Sequence, residues 1–593
     1  MLFCSMRSGI LLFVLTTTQF VFAQMNTHYT LKIQAPNTHY AEVEMTISQF
    51  TGSNLQLQMP VWTPGSYMVR EFEKHVEAVQ ISQNNTIIQH TKTNKQTWAC
   101  PVDPSKGDIH ISYKMYCFEQ SVRTSYIDAD HAFILPSSCL MNVNGMQAGS
   151  LKIEKPNQWQ SISCTLEAGK QKNEYVFKSL DELYDSPIEI GNQSVFDFEV
   201  AGVKHQVAMV GKNNCDIEQF KKDLQKVCST MTNIIGTHPC KQYLFIVHHV
   251  EEGGGGLEHA NSNVVQMPRN NYSNREKYLQ FLGLCAHEYF HLWNVKRLRP
   301  EALGPFNYNQ ENYTNMLWVA EGITSYYDEL AMYRAGFRSE SEYLKSLSQS
   351  IAACFNRYGG SVQSMHEASF DAWIKEYRPN ENSINAQISY YLKGAVLGAM
   401  LDLDLLQVSN GQKGLDVLMQ TLYKTHVIES DKGYSDQAFY NAIDAIAGQA
   451  LQYEQWASTP NNDAFKTKLN TVFEQAGLHI EWSANSSMHF HGIFTEWKNE
   501  KLLVKAIDAQ SKNYNSNLQA GDEIIAVEDM RVKNNFEDLI KLQKANSQVK
   551  LIISRAGLIQ NTVIELQNSP KLDCHISTAN KDNSAYKTWL KKD

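Results

Sequence analysis

His287-Glu288-Tyr289-Phe290-His291 is the stretch on which the reading of this chain turns. At 3.6 residues per turn, His287 and His291 fall on one helical face, where both imidazoles can reach a single metal ion. Glu288 lies alongside, placed to take a proton from metal-bound water. The pattern suits zinc-assisted hydrolysis, but five residues are only moderately specific, so their surroundings have to decide. Ser273-Asn274-Arg275-Glu276 reads as a capping box opening a helix, the residues from Tyr278 to Trp293 are mostly apolar, and Pro300 stops the helix. The motif is therefore expected mid-helix and buried. Two core histidines bonded to backbone would be the non-catalytic reading, but burying two imidazoles and a carboxylate without a metal is costly.

A catalytic zinc site needs a third protein ligand and an open position. Glu321 is the candidate, thirty residues after His291 inside the apolar helical stretch Trp318–Ala335. Such a carboxylate needs a partner; a cation supplies one, and Arg297 or Arg299 would be the alternative. Ser325 and Asp328 follow on a similar face, where they could orient the histidines. Gly253-Gly254-Gly255-Gly256-Leu257-Glu258-His259 follows the expected strand Tyr243–Val250. It lacks the Lys-Ser/Thr ending of a phosphate loop, so it reads as backbone that approaches a ligand closely, with a flexible linker as the alternative. Ser389-Tyr390-Tyr391-Leu392-Lys393-Gly394 opens another helix, and a tyrosine hydroxyl there could donate to a developing oxyanion.

Working outward, 593 residues leave room for about three domains. A hydrophobic fraction of 43% and a charged fraction of 19% exclude collagen-like and wholly disordered chains. A net charge of −9 provides no basic field for nucleic acid. Arg7, the apolar runs Ile10–Val14 and Phe20–Phe22, and Val21-Phe22-Ala23 read as a signal peptide over 1–23, giving an exported, periplasmic or secreted protein with no later membrane span; a retained anchor is the alternative, against which Thr16-Thr17-Thr18-Gln19 interrupts the run. Without Cys4, ten cysteines remain (11 − 1), as disulfides or buried thiols. Alternating short runs over 24–203 predict a β-sandwich-like domain, long helical patterns an α-rich catalytic domain over 204–485, and returning strands an α+β unit over 486–570. The polar tail 571–593 is expected to add little to any core.

Together these segments resemble the glycyl aminopeptidase family of zinc peptidases. The marks are Pro60-Val61-Trp62-Thr63-Pro64-Gly65-Ser66-Tyr67-Met68-Val69-Arg70-Glu71-Phe72, the loop Gly254 to His259, HEYFHLWNVKRLRP, WVAEGITSYY and YYLKG. The resemblance implies a multidomain α+β chain with an N-terminal β domain, a thermolysin-like (gluzincin) catalytic domain and a C-terminal PDZ domain. It implies one zinc ion held by His287, His291 and Glu321, with Glu288 as general base and Tyr391 stabilising the tetrahedral intermediate. Likeness to larger zinc aminopeptidases makes Glu258 the anchor of the substrate's free amine, with Gly255 and Gly256 beside the substrate, although Leu257 and His259 replace the methionine and asparagine of that loop. The implied substrates are peptides with a free N-terminus and a small first residue, glycine or alanine. Phe490-His491-Gly492-Ile493 and Leu518–Val527 resemble the carboxylate loop and Gly-Asp turn of a PDZ domain, a possible site for a peptide C-terminus. Two rivals stay open: a zinc endopeptidase of the same fold, and a non-catalytic, chaperone-like peptide-binding protein.

Overall fold

The computed structural model describes residues 25–591; the expected signal peptide lies outside them. The first unit is β-rich. Its largest sheet has eight strands and is joined by two four-stranded sheets. Asn26–Lys32 pairs antiparallel with Tyr40–Ser48, setting Tyr29 opposite Met45, and parallel with Gly149–Glu154. Alternate residues of the first pair (Tyr29, Leu31, Val43, Met45, Ile47) are buried in one core, as the period-two pattern requires.

The second unit opens with a five-stranded sheet. Its central strand, Gln242–Val250, pairs parallel with Val203–Val210 on one side and Ser262–Pro268 on the other. The short strand Gly255–Glu258 pairs antiparallel with Ser262–Pro268 and forms the edge. Helices follow. The motif helix runs Arg275–Phe290, and its N-cap is Asn274, whose side chain accepts from the Lys277 amide at 3.0 Å. The cap is thus one residue later than the expected Ser273 capping box. The motif closes this helix instead of sitting in its middle: His291 is the C-cap residue, and the chain continues in tight turns to Leu298. The next helix, Ile323–Arg334, is entered through a π-helical turn over Trp318–Gly322, in which the Ile323 amide bonds the Trp318 carbonyl. The long apolar helix Tyr390–Val408 crosses this turn. At the crossing, a Cβ on Gly322 would lie 2.5 Å from the Gly394 Cα, so the two backbones touch where neither residue has a side chain.

The third unit has its own core, strands from Ile493 to Glu565 and one helix, Phe536–Lys541. Asn385 holds it to the second unit, donating to the Ile507 carbonyl (2.8 Å) and accepting from the Ala509 amide (2.8 Å). The expectation for the tail is corrected. Leu572–Thr578 pairs with Leu478–Ala484, and the final helix Ser584–Trp589 buries Trp589 completely, its indole N–H donating to the Tyr326 hydroxyl at 2.8 Å. Sparse apolar residues hid this, because one strand and one tryptophan suffice to dock a terminus onto an existing core. The ten cysteines from Cys100 to Cys574 are free thiols.

Candidate active site

A cavity of about 300 Å³ opens where the first two units meet, lined by Gly65 and Arg123 from the first and by Gly256, Glu258, Glu288 and Tyr391 among others from the second. His287, His291 and Glu321 converge here. His287 Nε2 lies 3.4 Å and His291 Nε2 3.2 Å from Glu321 Oε2. Zinc bonds of about 2.0–2.2 Å in a tetrahedron put neighbouring donors about 3.3 Å apart, so these spacings fit that ion. The tautomers fit as well. His291 Nδ1 donates to the Asn294 carbonyl at 2.7 Å, and His287 Nδ1 lies 2.8 Å from Asp328 Oδ2, which leaves both Nε2 lone pairs free. Asp328 therefore takes the orienting role read for it, whereas Ser325 lines a separate cavity. Neither arginine pairs with Glu321: Arg297 donates to the Ala260 and Leu292 carbonyls, and Arg299 stacks on Phe306.

The electrostatics follow the burial. Burial alone would raise the Glu321 carboxyl, but the two imidazoles outweigh it and hold the group at about 2. Glu288 is pushed by burial up to about 7, partly offset by the same imidazoles and reinforced by Glu258 and Glu321. Glu258 and Glu288 each bring a carboxylate oxygen within 4.8 Å of a His291 ring nitrogen and of one another. Glycine makes this crowding possible. A Cβ on Gly256 would lie 2.1 Å from Glu288 Oε1, and one on Gly65 would lie 2.4 Å from Glu258 Oε2. Glu258 is 4% exposed, and its Oε1 has no hydrogen-bond partner. The Tyr391 ring stacks on Tyr390 and lies 6.2 Å from the His287 ring; Tyr391, not Tyr390, lines the cavity.

Residues 280–397 match the M61 glycyl aminopeptidase model, and residues 28–192 match the Peptidase M61 N-terminal domain. The chain is a metallopeptidase, and these two regions match M61 domains. This metallopeptidase is similar to the aminopeptidase N family protein of Idiomarina loihiensis at 26% identity, over 95% of this chain and all of that one, with a TM-score of 0.88. It also aligns with the M1 zinc metallopeptidase of Deinococcus radiodurans at 13% identity, over 74% of this chain and 94% of that one, with a TM-score of 0.47. Comparison with curated proteins finds no match. Two cavity residues that the first unit of the metallopeptidase supplies were not singled out as chemical groups in its sequence. Gly65 stood only inside a family mark, and Arg123 lies in an unremarkable turn; both come from the first unit, where no spacing relates them to the motif helix.

Proposed function

We propose that this metallopeptidase is a zinc aminopeptidase that removes the first residue, glycine or alanine, from peptides with a free N-terminus. The observation that carries it is Glu258: a buried carboxylate with an unpartnered oxygen, in the same cavity as the two histidines and Glu321. A substrate ammonium supplies the missing partner and fixes the first peptide bond in register. His287, His291 and Glu321 would hold the ion, which supplies Lewis acidity and lowers the pKa of its water towards 7. Glu288 takes the proton from the attacking water and passes it to the leaving amine. Tyr391 donates a hydrogen bond to the oxygen that becomes negative on the scissile carbonyl, and the glycines at 255 and 256 let the substrate backbone lie close. The small first residue rests on the M61 domains, not on a measured pocket.

The same reading divides the chain at about residues 203 and 485 and takes 486–570 as a PDZ-like module. Its strand Ile493–Lys498 is a sheet edge open to strand addition. The Ile493 amide, which a bound chain end would use, already donates to His491 Nδ1 at 3.1 Å.

The test pairs a free peptide such as Gly-Ala-Ala with its N-acetylated form. The free peptide should be cleaved and the acetylated one spared, whereas an endopeptidase would cleave both. Glu288→Gln should retain zinc, measured by metal analysis, and lose at least about 10³-fold in kcat, as expected when the base is removed. Near-full turnover by a zinc-loaded Glu288→Gln protein would overturn the assignment.

A further inference from the structure

The first unit contributes one cation to the cavity that the mechanism above does not use. Arg123 Nη2 donates to the Gly256 carbonyl at 3.3 Å, and its Nη1 would lie 3.6 Å from a Cβ on Gly255. Its Nε is buried without a partner, and among the described residues no carboxylate lies within ion-pairing distance of it. Arg70 stands behind it, bonded through Nε (3.0 Å) and Nη2 (2.8 Å) to the Ser66 hydroxyl and likewise without an ion pair. Burial and then the neighbouring Arg123 charge pull Arg70 down to about 10, so the two guanidinium groups act on one another. Two partly buried cations side by side, with no direct ion pair and only the more distant Glu119 offsetting Arg70, favour an anion that completes them.

The edge strand says which anion. It runs from Gly255 to Glu258, and Arg123 sits at the glycine end. At about 3.3 Å per residue, the distance from the Glu258 end back to Gly256 and Gly255 is two to three residues of extended chain. A peptide whose ammonium rests on Glu258 and whose chain follows this strand reaches Arg123 with its second or third residue. We propose that Arg123 binds the C-terminal carboxylate of di- and tripeptides, with Arg70 reinforcing its charge, so that the enzyme selects short peptides free at both ends. The inference rests on the aminopeptidase reading and adds the far end of the substrate to it.

The experiment compares Ala-Ala-Ala with its C-terminal amide on the zinc-loaded enzyme and on Arg123→Gln and Arg123→Lys. The native enzyme should favour the free acid by about tenfold or more in kcat/KM, mostly through KM, as a charge-assisted pair implies. Arg123→Gln should remove that preference while cleaving the amide within about threefold of the native rate, which also shows that the variant is folded; Arg123→Lys should keep part of the preference. Equal rates on acid and amide in the native enzyme, or an equal loss on both in Arg123→Gln, would overturn the proposal and leave Arg123 as a prop for the Gly256 carbonyl. Cleavage of the amide keeps the aminopeptidase reading intact in either case, and cleavage of neither peptide sinks both readings.

Discussion

Each histidine of the motif is set by the group on its other nitrogen. For His287 this is Asp328, whose carboxyl burial raises to about 6 despite the imidazole beside it. Asp328→Asn keeps an acceptor at Nδ1 but removes the charge that makes the imidazole a stronger donor to a metal. Zinc affinity, measured by competition with a chelator, should fall about 10–100-fold with the fold unchanged; an unchanged affinity would reduce Asp328 to packing. The His–Glu–His triad was legible in the sequence because helical spacing alone brings His287 to His291, and a glutamate in an apolar helix needs a cation. Asn294 was not legible. Its carbonyl orients His291, while its buried amide donates to the Val319 and Ala320 carbonyls at 2.9 and 3.2 Å, just before Glu321. Nothing in the spacing of an asparagine distinguishes that role from a turn residue.

At the scale of elements, the site depends on how closely two backbones cross. Gly322 follows Glu321, and Gly394 lies three residues after Tyr391, so the contact of these glycines brings the Glu321 carboxylate and the tyrosine to one cavity. Gly322→Ala forces a Cβ to 2.5 Å from the Gly394 Cα and 2.7 Å from the Tyr390 carbonyl oxygen. The helices must part, at a cost of about 1–3 kcal/mol or more, and turnover should fall with stability. Gly283→Ala in the motif helix is the control. Nothing lies within 4 Å of its Cβ position, and replacing a mid-helix glycine by alanine gains about 0.5–1 kcal/mol. Thermal melts should therefore move in opposite directions for the two variants, and a shared direction would show that the crossing is not tight. Strand and helix positions were largely readable from periodicity: the expected strand Tyr243–Val250 runs Gln242–Val250, and the helix read as opening at Ser389-Tyr390 runs Tyr390–Val408. The π-helical turn was not, because it differs from an α-helix by one residue of bonding and leaves the apolar pattern of Trp318–Ala335 intact.

Several contacts join the first two units: Trp62 and Tyr67 pack on Trp373, Asp185 pairs with Lys296 at 2.8 Å, and an apolar patch sets Phe133 and Leu135 against Leu244 and Ile246 beside a polar triad. Glu189, fully buried in the first unit, accepts from His131 Nδ1 of the same unit at 2.8 Å and meets His248 Nε2 of the second at 2.9 Å. These are hydrogen-bond lengths, shorter than the 3.2 and 3.4 Å within the His287–His291–Glu321 group. Burial opposes charging of His131, but Glu189, with Asp128 and Asp130, outweighs it and lifts the imidazole to about 9, while the histidines hold Glu189 below its ordinary value. The sign of the effect on stability follows from linkage. Below the ordinary histidine value of about 6.5 the folded and unfolded chains are both protonated at His131, and the stabilisation is complete. It is lost as pH rises through about 9, where the folded protein gives up its proton. The full difference is on the order of 3 kcal/mol. Melting temperature should thus decline between pH 6.5 and 9.5 more steeply in the native protein than in His131→Gln, where that proton is gone at every pH. Parallel curves would show that the His131 proton contributes no pH-dependent stability at this border.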